Sequence, residues 1–311
     1  MTAGKLTRKV TLLAGGVGGA KMADGFQQVL PPGELTVIVN VADDFELFGL
    51  HISPDLDTVL YTLAGSADPA TGWGIAGDTH AALEMLGRLG APTWFSVGDR
   101  DLATHLRRTE LLAGGRSLTD VTEALRTSLA VPSRILPASD QPMRTMLQTD
   151  AGELDFQTYF VARGQRDEVR GVRFAGLPEA RPTEAALRAV READLVVIAP
   201  SNPIVSIGPM LELPEMREAV AGARTVAISP IIAGRALKGP ADRMLVSLGH
   251  DASALGVARL YTGLVDAFVL DEVDAELGPE VERLGMRALP LPTVMRSPVA
   301  RASLARAILD A

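Results

Sequence analysis

The chain contains no cysteine, and this one absence removes a disulfide framework, thiolate zinc sites, iron–sulfur ligation and a cysteine nucleophile together. It fits a reducing compartment, so the cytoplasm is the expected location. Histidines number only four, and His51, His80, His105 and His250 include no pair at metal-ligand spacing. The Gly-x-Ser-x-Gly and Ser-x-x-Lys signatures of serine nucleophiles are missing. No apolar run approaches the roughly 18 residues of a membrane helix, the longest strong one being Leu195-Val196-Val197-Ile198-Ala199. The start, from Lys5 to Arg8-Lys9 and on through Val10–Ala14, imitates a signal peptide only as far as Gly15-Gly16, and reads as a strand. A net charge of -8 lacks the general basic surface that nucleic acid or an anionic membrane needs. Lysine is also rare, with Lys5, Lys9, Lys21 and Lys238 the only four among 30 basic residues.

What is present is ordinary globular composition: 311 residues, 47% hydrophobic and 22% charged. Short apolar runs of strand length alternate with helix-period segments at both ends, the pattern of a parallel sheet flanked by helices. Expected strands are Lys9–Ala14, Leu35–Asn40, Thr93–Val97, Asp194–Ala199, Thr225–Ser229 and Ala267–Leu270. Helices are expected near Met22–Leu30, Thr79–Leu89, Leu102–Ala113, Thr119–Leu129, Thr183–Glu192, Pro214–Ala221, Ala241–Leu248 and Pro298–Leu309, with Asp78 and Thr183 as caps. Between about Arg134 and Phe174, the segments Thr145–Thr149, Asp155–Val161 and Val169–Phe174 alternate like an antiparallel meander. The fold class is therefore α/β: one Rossmann-like unit over 1–311, its mostly parallel sheet flanked by helices, with an inserted helical and β-meander region at about 55–180.

The first strand runs into Gly15-Gly16-Val17-Gly18-Gly19-Ala20-Lys21, whose glycines let backbone amides approach an anion at the start of a helix. The dinucleotide fingerprint fails, because its sixth position is Lys21 and the second strand ends in Asn40 rather than an acid. That disfavours a nicotinamide-dependent oxidoreductase. A Walker A loop fails too, since Lys21 is followed by Met22. Asp43-Asp44 and Asp55-Leu56-Asp57 follow the second strand, on the edge where open α/β sheets bind ligands. Carboxylates without histidine or cysteine companions suit Mg2+, while helix capping after Pro54 and a solvated turn are the plainer readings. Gly98-Asp99-Arg100-Asp101 leads into a helix bearing His105, Arg107 and Arg108, and reads either as part of the site or as a capped, exposed charged face. Ser201-Asn202-Pro203 and Ser229-Pro230 add polar loops, Asn202 serving a base, a ribose or an Asx turn.

Together with Pro200–Pro209, Lys238-Gly239-Pro240-Ala241 and Ser53–Thr58, these motifs resemble the 2-phospho-L-lactate transferase family (CofD/FbiA) in the family's order. The resemblance implies a Mg2+-assisted transferase of coenzyme F420 biosynthesis. It would move a 2-phospho-L-lactyl or phosphoenolpyruvyl group from a guanosine diphosphate-linked donor to the deazaflavin Fo and release GMP. By the same resemblance Gly15, Gly16, Gly18, Gly19, Lys21, Asn202 and Ser206 hold the nucleotide. Asp43, Asp44 and Asp57 are the catalytic and metal-binding set, and Asp57, Ser96, Asp99 and His105 line the Fo pocket. Spacing does not say which of Asp43, Asp44, Asp55 and Asp57 converge, nor which donor acid is used. A homodimer acting on small molecules is implied. The other reading is a regulatory nucleotide-sugar-binding protein of the YvcK type; Pro54–Thr58 and Gly98–His105, which supply the acceptor side, favour the enzyme.

Overall fold

A computed structural model describes residues 8–311; Lys5, part of the basic start, lies outside them. The chain opens with β1 (Val10–Ala14), α1 (Gly16–Val29) and β2 (Leu35–Val39). A short hairpin, β3 (Phe45–Leu47) and β4 (Leu50–Ile52), leads into α2 (Pro54–Leu63), α3 (Ala81–Arg88), α4 (Asp99–Ala113) and α5 (Leu118–Ser128). After β5 (Arg134–Pro137) come β6 (Arg144–Thr149), β7 (Gly152–Asp155), a π-helical turn at Thr158–Ala162 and β8 (Val169–Ala175). Next are α6 (Glu184–Arg191), β9 (Leu195–Ile198), a second π-helical turn at Pro203–Ile207, α7 (Gly208–Leu211), α8 (Met216–Ala221) and β10 (Thr225–Ile228). The chain ends with β11 (Ile231–Ile232), β12 (Arg235–Ala236), α9 (Ala241–Ser247), α10 (Ala254–Leu260), β13 (Ala267–Asp271), α11 (Gly278–Arg283), β14 (Arg287–Leu291) and α12 (Pro298–Asp310). Among the described residues, no helix is long and apolar enough to cross a membrane.

Seven strands form the central sheet in the order β14-β13-β10-β9-β1-β2-β5, and every neighbouring pair is parallel. The expected Rossmann-like α/β architecture is therefore present. β1, β2, β9, β10 and β13 are buried along their whole length, which is why they read as continuous apolar runs rather than alternating ones. The chain moves from β1 outward through β2 to β5 and later returns to β9 on β1's other side. This reversal is the switch point at which the loops after two strands diverge and leave a crevice.

Several expectations are corrected. Thr93–Val97 forms no strand; the strand beside β2 in the sheet is β5, so the sheet's edge lies inside the stretch read as inserted. Arg134–Pro137 is too short, and ends in a proline, to stand out from the sequence. The meander is real as the antiparallel sheet β7-β6-β8, but its β7 is Gly152–Asp155, and most of Asp155–Val161 belongs to the π-helical turn. Helix α2 carries no amphipathic period because eight of its ten residues are buried. Asp78 does not cap its own helix. Its carboxylate accepts from the amides of Arg100 and Asp101 at the start of α4, at 2.9 and 3.0 Å, while Asp99 accepts from Ala81 and Ala82 at the start of α3, at 3.1 and 2.9 Å. Each helix is thus capped by the carboxylate preceding or opening the other. Thr183 does cap α6, accepting from the Ala186 amide.

Candidate active site

The loops after β1, β2 and β9, the start of α2 and the segments 71–74, 94–96 and 156–161 enclose a cavity of about 860 Å3. Helix α1 begins at Gly16, well before the expected Met22. Gly16 needs its left-handed φ of 60° to turn from strand to helix. At Gly18 a Cβ would stand 2.4 Å from the Pro200 carbonyl oxygen, so the helix can approach the β9 loop only because it has none. Two of the loop's amides are already engaged: Gly15 donates to Ser201 Oγ at 3.2 Å and Gly16 to Asp55 Oδ1 at 2.7 Å. The amides of Val17 and Gly18 follow in the first turn, where no intrahelical carbonyl is available to them.

Gly15, Gly16, Gly18, Lys21, Asn202 and Ser206 all line the cavity. Gly19 does not; it is a packing glycine, where a Cβ would sit 2.8 Å from that of Ala14. Asn202 makes the Asx turn, accepting from the Ile204 and Val205 amides to open the second π-helical turn. The Lys21 ammonium is half-buried, and desolvation, with Lys238 and Arg301 nearby, holds its pKa below the usual lysine range. Lys238 and Arg296 line the same space. The part of the cavity bounded by these cations and the free amides of α1 suits an anionic guest.

The acidic cluster resolves into three different environments. Asn40 Nδ2 donates to Asp43 Oδ2 and Asp55 Oδ2 at 3.1 and 3.0 Å, drawing two carboxylates together at the end of β2. Burial, reinforced by Asp55, pushes Asp43 well above the carboxylate range, with Thr145 and Asn40 pulling the other way. Burial pushes Asp55 up to about 6, against the pull of Asn40 and the Gly16 amide. Asp43 keeps a buried oxygen with no hydrogen-bond partner. Paired, poorly compensated carboxylates of this kind supply the hard oxygen donors of a divalent cation such as Mg2+. Asp44 is turned away from the cavity: its Oδ2 receives Ser53 Oγ at 2.7 Å and lies 3.0 Å from His51 Nε2.

Asp57 faces a different neighbour. The guanidinium of Arg108, only 1% exposed, donates to both of its oxygens, one at 3.0 Å through Nη1. His105 Nδ1 lies 3.6 Å from Asp57, and His105 Nε2 lies 3.2 Å from Asp101. Tyr61 donates its hydroxyl to Asp101 at 2.7 Å. Burial opposes ionisation of Asp101, yet His105 and the Tyr61 hydroxyl hold its pKa below the usual range. Asp57, Tyr61, Ser96, Asp101 and His105 all line the cavity. Asp99 does not, being spent on the cap of α3. The sequence carried a usable signal for the missed Asp101, Arg108 and Tyr61: Asp101 and Arg108 share a face of α4 with the expected His105, at i, i+7 and i+4, and Tyr61 stands four residues after the expected Asp57 on α2.

Both tryptophans of the chain line the cavity, a contribution that the sequence reading missed. Trp94 and Phe95 pack at 5.7 Å and join Phe45 at 5.9 and 4.8 Å, walling the side near Asp57 and Ser96. Phe156 and Phe160, also in the lining, stack with centroids 5.4 Å apart and planes 7° from parallel, packed in one cluster with Ile204 and Val205 of the second π-helical turn. A cavity with two aromatic walls and an anion-binding floor suits two substrates, each with a planar ring.

Sheet order, switch-point crevice and glycine-loop cradle define a Rossmann-like ligand-binding protein. A family model described as 2-phospho-L-lactate transferase CofD matches residues 10–283, and the chain belongs to that family. It is a transferase in coenzyme F420 biosynthesis, as the motifs imply. A phosphoenolpyruvate transferase of Streptomyces griseus is 41% identical, covering 97% of this chain and 98% of that protein. A 2-phospho-L-lactate transferase of Methanosarcina acetivorans is 42% identical, covering 92% and 93%. Among solved structures, a UPF0052-family protein of Bacillus halodurans superposes with a TM-score of 0.65 at 17% identity, covering 98% of this chain and 100% of that one. This last likeness is one of fold alone.

Proposed function

We propose that the chain transfers a 2-phospho-L-lactyl or phosphoenolpyruvyl group from a guanosine diphosphate-linked donor to a hydroxyl of Fo, releasing GMP. The observation that carries this reading is the single cavity in which an anion cradle and a carboxylate-bearing, aromatic-walled pocket meet. Phosphoryl transfer asks for positioning and charge neutralisation rather than a covalent nucleophile. On this reading the α1 amides, Lys21 and Lys238 receive the diphosphate, and Asn202, Ser206 and the Phe156–Phe160 wall receive the nucleoside. Trp94, Phe95 and Ser96 receive the deazaflavin, and Asp57 accepts a hydrogen bond from its hydroxyl. On this reading Asp43 and Asp55 would hold Mg2+, a choice supported by their lining of the cavity, which Asp44 does not share, and by the engagement of Asp57 with Arg108. Bound there, the ion would neutralise phosphate charge and lower the pKa of an oxygen it touches.

The two relatives bear different donor acids in their names at nearly equal identity, so both donors stay within the proposal. The same reading has the chain acting as a cytoplasmic homodimer on two small molecules, and on neither nucleic acid nor membrane; the charge of -8 supports the last clause. The experiment is binding of Fo, followed by its own fluorescence with Mg2+ and GDP, then GMP release with each donor. Saturable binding and GMP release support the transferase. Failure to bind Fo, with a nucleotide-sugar bound instead, would turn the reading to the regulatory module.

Lys21→Ala tests the cradle. Loss of one charge-assisted phosphate contact, about 1.5–3 kcal/mol, is expected to raise the GDP dissociation constant roughly ten- to hundredfold. An unchanged constant in a calorimetric titration would make the lysine a packing residue.

A further inference from the structure

Asp57, Asp101 and His105 each offer a ligand atom within 4.8 Å of one another, the spacing of a metal centre. Yet the place beside them is taken. Arg108 reaches in from α4, donates to both Asp57 oxygens, and comes within 3.3 Å of His105 Nδ1. A guanidinium has no acceptor, so Nδ1 must receive that bond, and the proton of a neutral His105 sits on Nε2, facing Asp101. With 1% of its surface exposed, Arg108 is the largest fully buried side chain among the described residues.

We propose that Arg108 is a positioning residue that acts as a permanent cation beneath the acceptor pocket, occupying with a guanidinium the place a metal ion would otherwise take between Asp57 and His105. The proposal rests on the reading that Asp57 meets the acceptor hydroxyl. The planar fork of arginine fixes both carboxylate oxygens in one orientation. That leaves Asp57 unable to swing toward the Asp43–Asp55 pair, and reserves its remaining lone pairs for the cavity. A divalent ion would supply twice the charge but would draw water and phosphate oxygens to itself; the guanidinium supplies a single charge and a fixed geometry while presenting nothing to the donor. The acceptor half of the site is in this way kept distinct from the donor half.

The test uses the full chain with Arg108→Ala and Arg108→Lys. In Arg108→Ala, kcat is expected to fall roughly 100-fold, while the dissociation constants of Fo and GDP move by less than about threefold. Millimolar guanidinium ion should restore about a tenfold part of the loss. Independently of any substrate, Mn2+ titration followed by electron paramagnetic resonance should show one more ion bound by Arg108→Ala than by the wild type, because Asp57 and His105 lose their guanidinium partner and stand beside Asp101 as a three-ligand set. If the alanine chain does not fold, Arg108→Lys carries the test. It keeps the charge without the fork, so kcat should drop about tenfold with the KM values unchanged. Wild-type kcat in either variant, or no guanidinium rescue together with no gain in Mn2+, would overturn the proposal. Failure of the wild type to turn over Fo would sink the transferase reading instead, and the Mn2+ count would still judge this one.

Discussion

Asp57→Asn is expected to lower kcat by about 10^3-fold, the scale of losing one oriented electrostatic contact in a water-excluded site, while GDP affinity stays within about twofold. The two effects separate because Asp57 belongs to α2 and faces α4, whereas the phosphate cradle is built from α1 and the β9 loop. The substitution should also cost stability, since breaking a buried pair typically costs about 3–5 kcal/mol. Asparagine retains one oxygen for Arg108, which puts the loss at the low end of that range. Steady-state kinetics, GDP calorimetry and urea denaturation on one preparation decide the matter. Wild-type turnover would remove Asp57 from the site, and a parallel collapse of GDP affinity would show a single cooperative site rather than two halves.

Asp55→Asn is expected to stabilise the ligand-free protein at neutral pH and to do little for it in acid. Folding raises the Asp55 pKa from 3.8 to about 6, so between those values the unfolded chain gives up its proton first and the folded state loses ground. The penalty is absent below about pH 4, grows through the window from 4 to 6, and is complete above it. A rise of this size corresponds to about 3 kcal/mol. Asparagine never carries that charge, and its oxygen can still accept from the Gly16 amide. Urea unfolding at pH 7.5 should therefore favour the variant, and the gap should close below about pH 4. A variant less stable than the wild type at pH 7.5 would show that the carboxylate is not a burden there.

What the sequence revealed of the site follows from where its signals lie. Gly15–Lys21 and Asn202 were legible because glycine and Asx chemistry act within a few residues, and the apolar runs of β1, β2, β9 and β10 because both faces of a parallel sheet are buried. The choice of Asp99 over Asp101 was not decidable locally. The two are neighbours in one motif, and the helical rotation between them puts one into the cap of α3 and the other into the cavity. Nor could spacing separate Asp44 from Asp55, since the two differ in which tertiary partners they meet: Ser53 and His51 for one, Asn40 and Gly16 for the other. Arg108 looked like half of an exposed pair with Arg107, whose partner Glu110 lies one turn along at 2.7 Å on the surface. Trp73 and Trp94 carried no periodicity, because they lie in irregular segments whose course is set by the elements around them.

The reciprocal caps of Asp78 and Asp99 bear on how the protein breathes. Helix α3 has no buried residue, so it is tied down chiefly by hydrogen bonds at its first turn rather than by apolar contact. The wall that follows it is better anchored, since Phe95 packs on Phe45 at 4.8 Å and Val97 is buried against Leu47 and Ile52. Local stability follows buried apolar contact, so α3 is expected to come loose while the sheet, the glycine loop and that wall stay folded. Its amides should exchange with solvent hydrogen earlier than those of β1 or β9. Such loosening would leave the aromatic and charged lining of the cavity where it is, because no residue of α3 belongs to that lining.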